Sequence, residues 1–143
     1  MSMHMRVFFA GSMPTPVAVT QSMQRLGLNF AISDRECGLE AYRGFMPMSC
    51  GEGADTHETG VEVHVGYAGG TIDDLGIKGI DPELNNEISF RRSSDLKEGA
   101  CAQALAAAIA TLTGGIIYKD SEAEIISVET AVKYCHEFLS VSR

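Results

Sequence analysis

The stretch VEVHVGY, residues 61–67, has the clearest strand pattern in the chain. Its valines alternate with Glu62 and His64, so the valines point to one side of a strand and the polar groups to the other. A second alternating stretch, EISFR at residues 87–91, follows a segment rich in glycine and aspartate. We expect the two strands to pair as a hairpin closed by a long loop at residues 69–86.

The N-terminal third has a strand, helix, strand pattern. MRVFF, residues 5–9, alternates between apolar and other side chains and predicts a strand. Thr15 is a suitable N-cap, and Pro16 suits the first helical position because its missing N–H has no intrahelical partner there. The helix should end at Gly27, and LNFAI, residues 28–32, should form the next strand.

Residues 33–60 have weak periodicity and many glycine and acidic residues. We interpret them as a long, partly irregular segment with a short strand or helical turn near residues 38–45. The apolar side chains of Phe45, Met46 and Met48 either enter the core or form an adaptable apolar patch, and burial is the favoured interpretation.

The C-terminal third is the most regular part of the sequence. Asp95 and Glu98 have the spacing of a capping box, and the apolar residues that follow predict a helix ending at Gly114. The expected inner face of this helix consists of Cys101, Ala104, Leu105, Ala108 and Leu112. Alanines also occupy much of the opposite side, which indicates that the helix is well buried.

Two short strands and a helix should complete the chain. The strands are IIYKD, residues 116–120, and AEII, residues 123–126, and Ser127 should cap the final helix. We therefore predict one α+β domain over residues 1–143. Its mostly antiparallel or mixed sheet has about five to six strands and is covered by about three helices.

The four cysteines include no C-x-x-C pair, so the sequence predicts neither a zinc knuckle nor a thioredoxin-like motif. Cys101 and Cys135 lie on apolar stripes of predicted helices, where we expect reduced, buried thiols. No stretch approaches the ~20 apolar residues that span a bilayer, and the apolar run at residues 7–10 is too short for a secretory signal. We therefore expect a cytoplasmic protein.

Acidic residues are concentrated in the middle of the chain. Residues 34–87 contain twelve acidic and three basic residues, whereas the net charge of the whole chain is −8. Such a field repels nucleic acid and anionic membranes and attracts a basic partner or cations. A solvated acidic surface that only aids solubility is the competing interpretation.

His57, Glu58, Glu62 and His64 raise the question of a metal site. A zincin motif needs two histidines one turn apart on a helix, but here they are seven residues apart and lead into an alternating strand. Glu62 and His64 share a strand face and could supply two ligands, with a third from His57 or Asp55. The polar side of a strand explains these residues more simply, so we expect no metal, cofactor or catalytic residue. A small α/β enzyme or metal-dependent protein that uses Glu62, His64 and nearby acids is the alternative.

Residues 88–135 resemble the C-terminal part of small bacterial immunity proteins from interbacterial toxin systems, of the type VI or polymorphic kind. The resemblance covers an alanine-rich helix followed by Thr113-Gly114-Gly115, then Tyr118, Asp120 and a final helix from Ser127. The segments GFMPMSCG and TGVEVHVG also look like the central part of such proteins. The resemblance implies a non-enzymatic protein that binds and occludes a cognate toxin.

Together with the charge distribution, this resemblance implies a toxin with a basic surface, and no nucleic acid or membrane partner. It leaves the oligomeric state open. The residues expected to contact the toxin are chosen from the polar and acidic middle of the chain. They are Glu52, Asp55, Glu58, Glu62, His64, Asp73, Asp74, Asp81 and Glu83.

Overall fold

The computed structural model describes residues 4–51 and 53–141. Its strands are β1 (His4–Phe9), β2 (Phe30–Ile32), β3 (Gly44–Cys50), β4 (His57–Tyr67), β5 (Asn86–Arg91), β6 (Ile116–Lys119) and β7 (Glu124–Ile126). Its α-helices are α1 (Pro16–Arg25), α2 (Ala68–Leu75), α3 (Leu96–Thr113) and α4 (Val128–Val141). The strands form one antiparallel sheet in the order β2-β3-β4-β5-β1-β6-β7.

The α+β class and the antiparallel sheet are confirmed, but within the described residues the sheet has seven strands and there are four α-helices. The predicted hairpin of β4 and β5 is also confirmed, with Val63 opposite Phe90 and Val65 opposite Ile88. The N-terminal strand β1 lies near the centre of the sheet, between β5 and β6.

Helices α1, α3 and α4 cover one face of the sheet and form the main core with it. Every residue of α3 from Gly99 to Ala110 is buried, because the helix packs against β1 and β4 on one side and against α1 and α4 on the others. Small alanine side chains allow this close approach: the Ser22 hydroxyl donates to the Ala108 carbonyl, and the Cys135 thiol to the Ala100 carbonyl. Leu112 was expected on the inner face of α3 but is 41% exposed, because it lies in the last turn beyond the buried stretch.

The opposite side of the sheet, which we call the second face, is covered only in part. A smaller apolar cluster forms there around Phe8, Tyr118 and Ala68, and side chains from α2 and the following loop pack against it. These partly buried side chains are Ile72, Ile77, Ile80 and Leu84. Residues 69–86, predicted to be a loop, therefore include most of a helix and an apolar contact with the sheet.

Residues 33–60 are more regular than expected, because they include all of β3 and the start of β4. Strand β3 was not recognised in the sequence because it contains Pro47, and proline lacks the N–H that a strand inside a sheet uses for pairing. In the structure Pro47 lies opposite Gly60 in β4, and its carbonyl accepts from the Ser33 amide. Met46 and Met48 are buried as expected, whereas Phe45 points to the second face and is 53% exposed.

Within the described residues, the structure has no helix that combines the length and the apolar character needed to cross a membrane.

Candidate functional site

Alternation along the central strands gives the second face a set of ionisable and polar side chains. Valines and other apolar residues of these strands point to the helices, so the intervening residues point the other way. The register aligns these residues in rows across neighbouring strands. The rows are Phe45, Glu62, Arg91 and His4; then His64, Ser89, Arg6 and Tyr118; then Gly66, Glu87 and Phe8.

An ionic cluster lies in the middle of this face. Arg6 Nε is 3.0 Å from Asp120 Oδ1, Arg6 Nη2 is 3.0 Å from Asp120 Oδ2, and Arg6 Nη1 is 2.9 Å from Glu87 Oε2. The exposed fractions of the three side chains are 15% for Arg6, 9% for Glu87 and 6% for Asp120. Burial alone would lower the pKa of Arg6, but its hydrogen bonds and charge interactions with Asp120 and Glu87 raise that pKa above its ordinary value.

The cluster is not electrically balanced, because two carboxylates share one guanidinium. Glu87 Oε1 is buried and has no hydrogen-bond partner among the described residues. Nearby, the pKa of His4 is lowered, first by burial and then by the charge of Arg6. His4 therefore favours its neutral form and adds little positive charge to the cluster.

Strands β3 and β4 form a more exposed part of the second face. We call this part the open strip and define it by Phe45, Glu58, Gly60, Glu62 and His64. Glu58 and His64 are exposed, and Glu62 is half-buried. The strip therefore combines an exposed aromatic ring with two carboxylates.

The expected partner-binding residues do not form one compact patch. Glu58, Glu62 and His64 lie together on the open strip, as the alternation predicted. The acids of α2 and its following loop belong to a segment that packs on the same second face, but over Phe8 and Tyr118. These exposed residues are Asp73, Asp74, Asp81 and Glu83.

Asp55 is exposed and precedes β4, whereas α2 follows the other end of that strand. At ~3.3 Å per residue, the eleven residues of β4 place Asp55 about 35 Å from α2. Glu52 lies outside the described residues. The predicted surface is therefore an elongated band rather than a pocket.

Glu62 and His64 share the second face but lie in different rows. Glu62 Oε2 is 3.8 Å from Arg91 Nη1, and the Ser89 hydroxyl is 3.5 Å from the His64 carbonyl. In residues 4–51 and 53–141, no three His, Cys, Asp or Glu side chains are grouped closely enough to hold a metal ion. Two surface recesses, one beside Phe30 and Ser49 and one beside Met13 and Leu112, are lined by other residues.

The sequence did not predict the ionic cluster, and for Phe45 it favoured burial over the alternative of an exposed apolar patch. The one available signal for the cluster was Arg6, a charged residue within an otherwise apolar strand. Its partners could not be inferred, because Glu87 and Asp120 are 81 and 114 residues away in sequence. The exposure of Phe45 was not predicted because β3, the strand that determines the direction of its side chain, was not recognised.

No family model, curated protein or solved structure that was compared with this chain matches it. We therefore infer function from the residues of the second face.

Proposed function

We propose that this chain is a non-enzymatic binding protein, an immunity protein that acts in the cytoplasm and occludes a cognate bacterial toxin. The contact surface in this proposal is the open strip together with Asp55 and the acidic residues of α2 and its following loop. The observation that carries the proposal is the unequal covering of the sheet. Three helices bury one face, whereas the other face retains an exposed aromatic ring beside acidic side chains.

The dimensions of this surface support a protein partner. A band about 35 Å long matches the extent of a standard interface, which buries ~800 Å² on each partner. Exposed aromatic side chains are frequent energetic centres of such interfaces, and surrounding charges steer association and exclude wrong partners. The excess of acidic residues at 34–87 favours a basic partner surface.

The test begins with identification of the partner. The tagged chain is used to capture proteins from a lysate of the producing cells, and the captured protein is then expressed alone in a bacterial host. The proposal requires that this protein arrest growth and that co-expression of the chain restore it. A captured protein that is harmless in the host would contradict the immunity function.

Matched charge variants locate the contact. Glu62→Gln and Asp73→Asn are combined in one variant, which should bind the toxin about ten-fold more weakly than the parent chain. The parent's affinity should fall as salt is raised, because salt screens exposed charges.

The control variant combines Glu129→Gln and Glu137→Gln, two exposed residues of α4 in the helical layer. It should protect and bind like the parent. Weaker binding in the control but not in the second-face variant would move the interface to the helical layer and contradict the proposed surface.

A further inference from the structure

The Phe45 ring packs over the backbone of Gly60, while the residue remains 53% exposed. It lies diagonally across β4 over Gly60, whose missing side chain leaves room for it. A Cβ at Gly60 would lie 2.5 Å from Phe45 Cζ and 2.8 Å from Cε2. An aromatic ring that covers a strand glycine in this way packs on the backbone beneath it and helps to fix the register of the strands. Its outer side remains open to a ligand.

A weakly paired carboxylate lies beside this ring. Glu62 is directly opposite Phe45 in β4, and Arg91 is directly opposite Glu62 in β5. Arg91 Nη1 lies 3.8 Å from Glu62 Oε2, and the side chains of Glu62 and Arg91 are 45% and 62% exposed. An exposed ion pair with this separation contributes little to stability, so another cation can replace Arg91 at small cost.

We propose that Phe45 and Glu62 receive an arginine side chain from the protein partner. The guanidinium stacks on the exposed ring and bonds to the Glu62 carboxylate, displacing Arg91. Arginine fits better than lysine because its planar group can stack on an aromatic face and pair with a carboxylate through two N–H groups at once. This inference rests on the proposed function and adds the chemistry of its central contact.

If the partner's arginine displaces Arg91, substitutions at Glu62 and at Arg91 should change the binding affinity in opposite directions. Glu62 attracts the incoming guanidinium, so Glu62→Gln should weaken binding. Arg91 competes for Glu62 and repels the incoming charge, so Arg91→Gln should strengthen binding. A purely structural role for the pair would give changes of the same sign, because either substitution breaks the same contact.

A capped tri-arginine peptide is a suitable probe, with a capped tri-citrulline peptide as its neutral analogue of similar shape. Each peptide is titrated into the full chain, and backbone amide chemical shifts are recorded by NMR. We expect tri-arginine to shift the amides of Gly60 and Glu62, and we expect tri-citrulline to leave them unchanged. Shifts confined to α2 and its following loop would overturn the inference.

Variants of the ring supply the second test. Phe45→Leu should weaken tri-arginine binding about two- to five-fold, the loss expected for one exposed cation–π contact. Phe45→Tyr retains an aromatic face and should bind like the parent, and thermal melts establish that both variants are folded. Unchanged binding by Phe45→Leu, or unchanged or weaker binding by Arg91→Gln, would contradict the inference.

The same variants separate this inference from the proposed function. Once the toxin is identified, both variants are tested against it. If the second-face charge variant loses protection but Phe45→Leu keeps full affinity for the toxin, the proposed function is retained and the arginine contact is rejected. Full protection by the charge variant would reject the proposed contact surface itself.

Discussion

Arg6 and Asp120 form a two-point ion pair between the first strand and the residue that follows β6. Two guanidinium nitrogens of Arg6 lie 3.0 Å from the two Asp120 oxygens, and the two side chains are 15% and 6% exposed. The same guanidinium also binds Glu87 of β5. One side chain thus joins β1 to β5 and to the turn that follows β6, at the second face.

Replacing Arg6 should destabilise the fold strongly. Arg6→Met leaves Glu87 and Asp120 buried without a cation, and the loss of one partner from a buried ion pair costs about 3–5 kcal/mol. Arg91→Met is the matched control, because it removes an exposed arginine whose ion pair contributes about 0–1 kcal/mol. Urea unfolding followed by circular dichroism gives both values, and equal losses in the two variants would contradict the structural role of the cluster.

Helix α2 should gain stability when its internal glycines are replaced. Gly69 and Gly70 are exposed and have no positive φ, and no atom outside the adjacent backbone lies within 4 Å of a Cβ built at either position. Each glycine-to-alanine change should raise the free energy of unfolding by about 0.5–1 kcal/mol, because alanine loses less backbone entropy in a helix.

Gly76 is the control for this prediction, since it ends α2 with φ +64°. Gly76→Ala should be destabilising by about 1–2 kcal/mol, because a Cβ disfavours the left-handed conformation. Thermal melts of the three single variants show whether the changes at Gly69 and Gly70 raise the free energy of unfolding and whether Gly76→Ala lowers it. A stabilising Gly76→Ala would show that α2 does not end in the described conformation.

The centre of α3 should tolerate neither a loss nor a gain of volume. Leu105 and Ala108 are fully buried between the sheet and the other helices of that layer. Leu105→Ala should cost about 2–5 kcal/mol through the cavity it leaves, and Ala108→Leu about 1–3 kcal/mol through overpacking. Leu112→Ala, a change at an exposed position in the same helix, should cost much less in the same denaturation experiment.

The four cysteines should differ sharply in reactivity. Burial raises the pKa of both Cys101 and Cys135 to about 12, and burial also raises the pKa of Cys50. Because the thiolate is the reactive form, these three should remain unmodified by a thiol reagent at pH 8, whereas the partly exposed Cys37 should react.

Mass spectrometry after iodoacetamide treatment should therefore show one modified site in the native protein and four in guanidinium chloride. Since only a small fraction of a thiol with a pKa of about 12 is ionised at pH 9, raising the pH from 7 to 9 should leave Cys101 and Cys135 unlabelled in the native protein. Fast labelling of Cys101 in the native protein would contradict the burial of α3.

The parts of the fold that the sequence predicts well are those determined by local patterns. The alternation in β4 and β5 correctly predicted that the two strands pair and that Glu62 and His64 share one side of the sheet. The capping residue Asp95 and the apolar run after it gave α3, whose N-cap carboxylate accepts from the Lys97 and Glu98 amides. Hydrogen bonds and side-chain periodicity within a few residues are sufficient for both predictions.

Elements that depend on distant contacts were missed. Helix α2 has two internal glycines and little helical propensity, so its packing on Phe8 and Tyr118 is needed to stabilise it. Strand β3 contains Pro47 and is recognised only through its pairing with β2 and β4. The buried cluster around Arg6 requires knowledge of which strands lie beside β1, and this information is not present in any local pattern.

The central position of β1 has a consequence for synthesis on the ribosome. In the part of the chain that the structure describes, β1 pairs with β5 and β6, which are both translated after it, and the partners of Arg6 are 81 and 114 residues further along the nascent chain. Until then its apolar residues Val7, Phe8 and Phe9 have no strand beside them. Non-local strand pairing of this kind slows folding and leaves apolar segments accessible to aggregation or to chaperones. The middle of the sheet is therefore completed only after α3 has been translated, and β1 needs protection from aggregation until then.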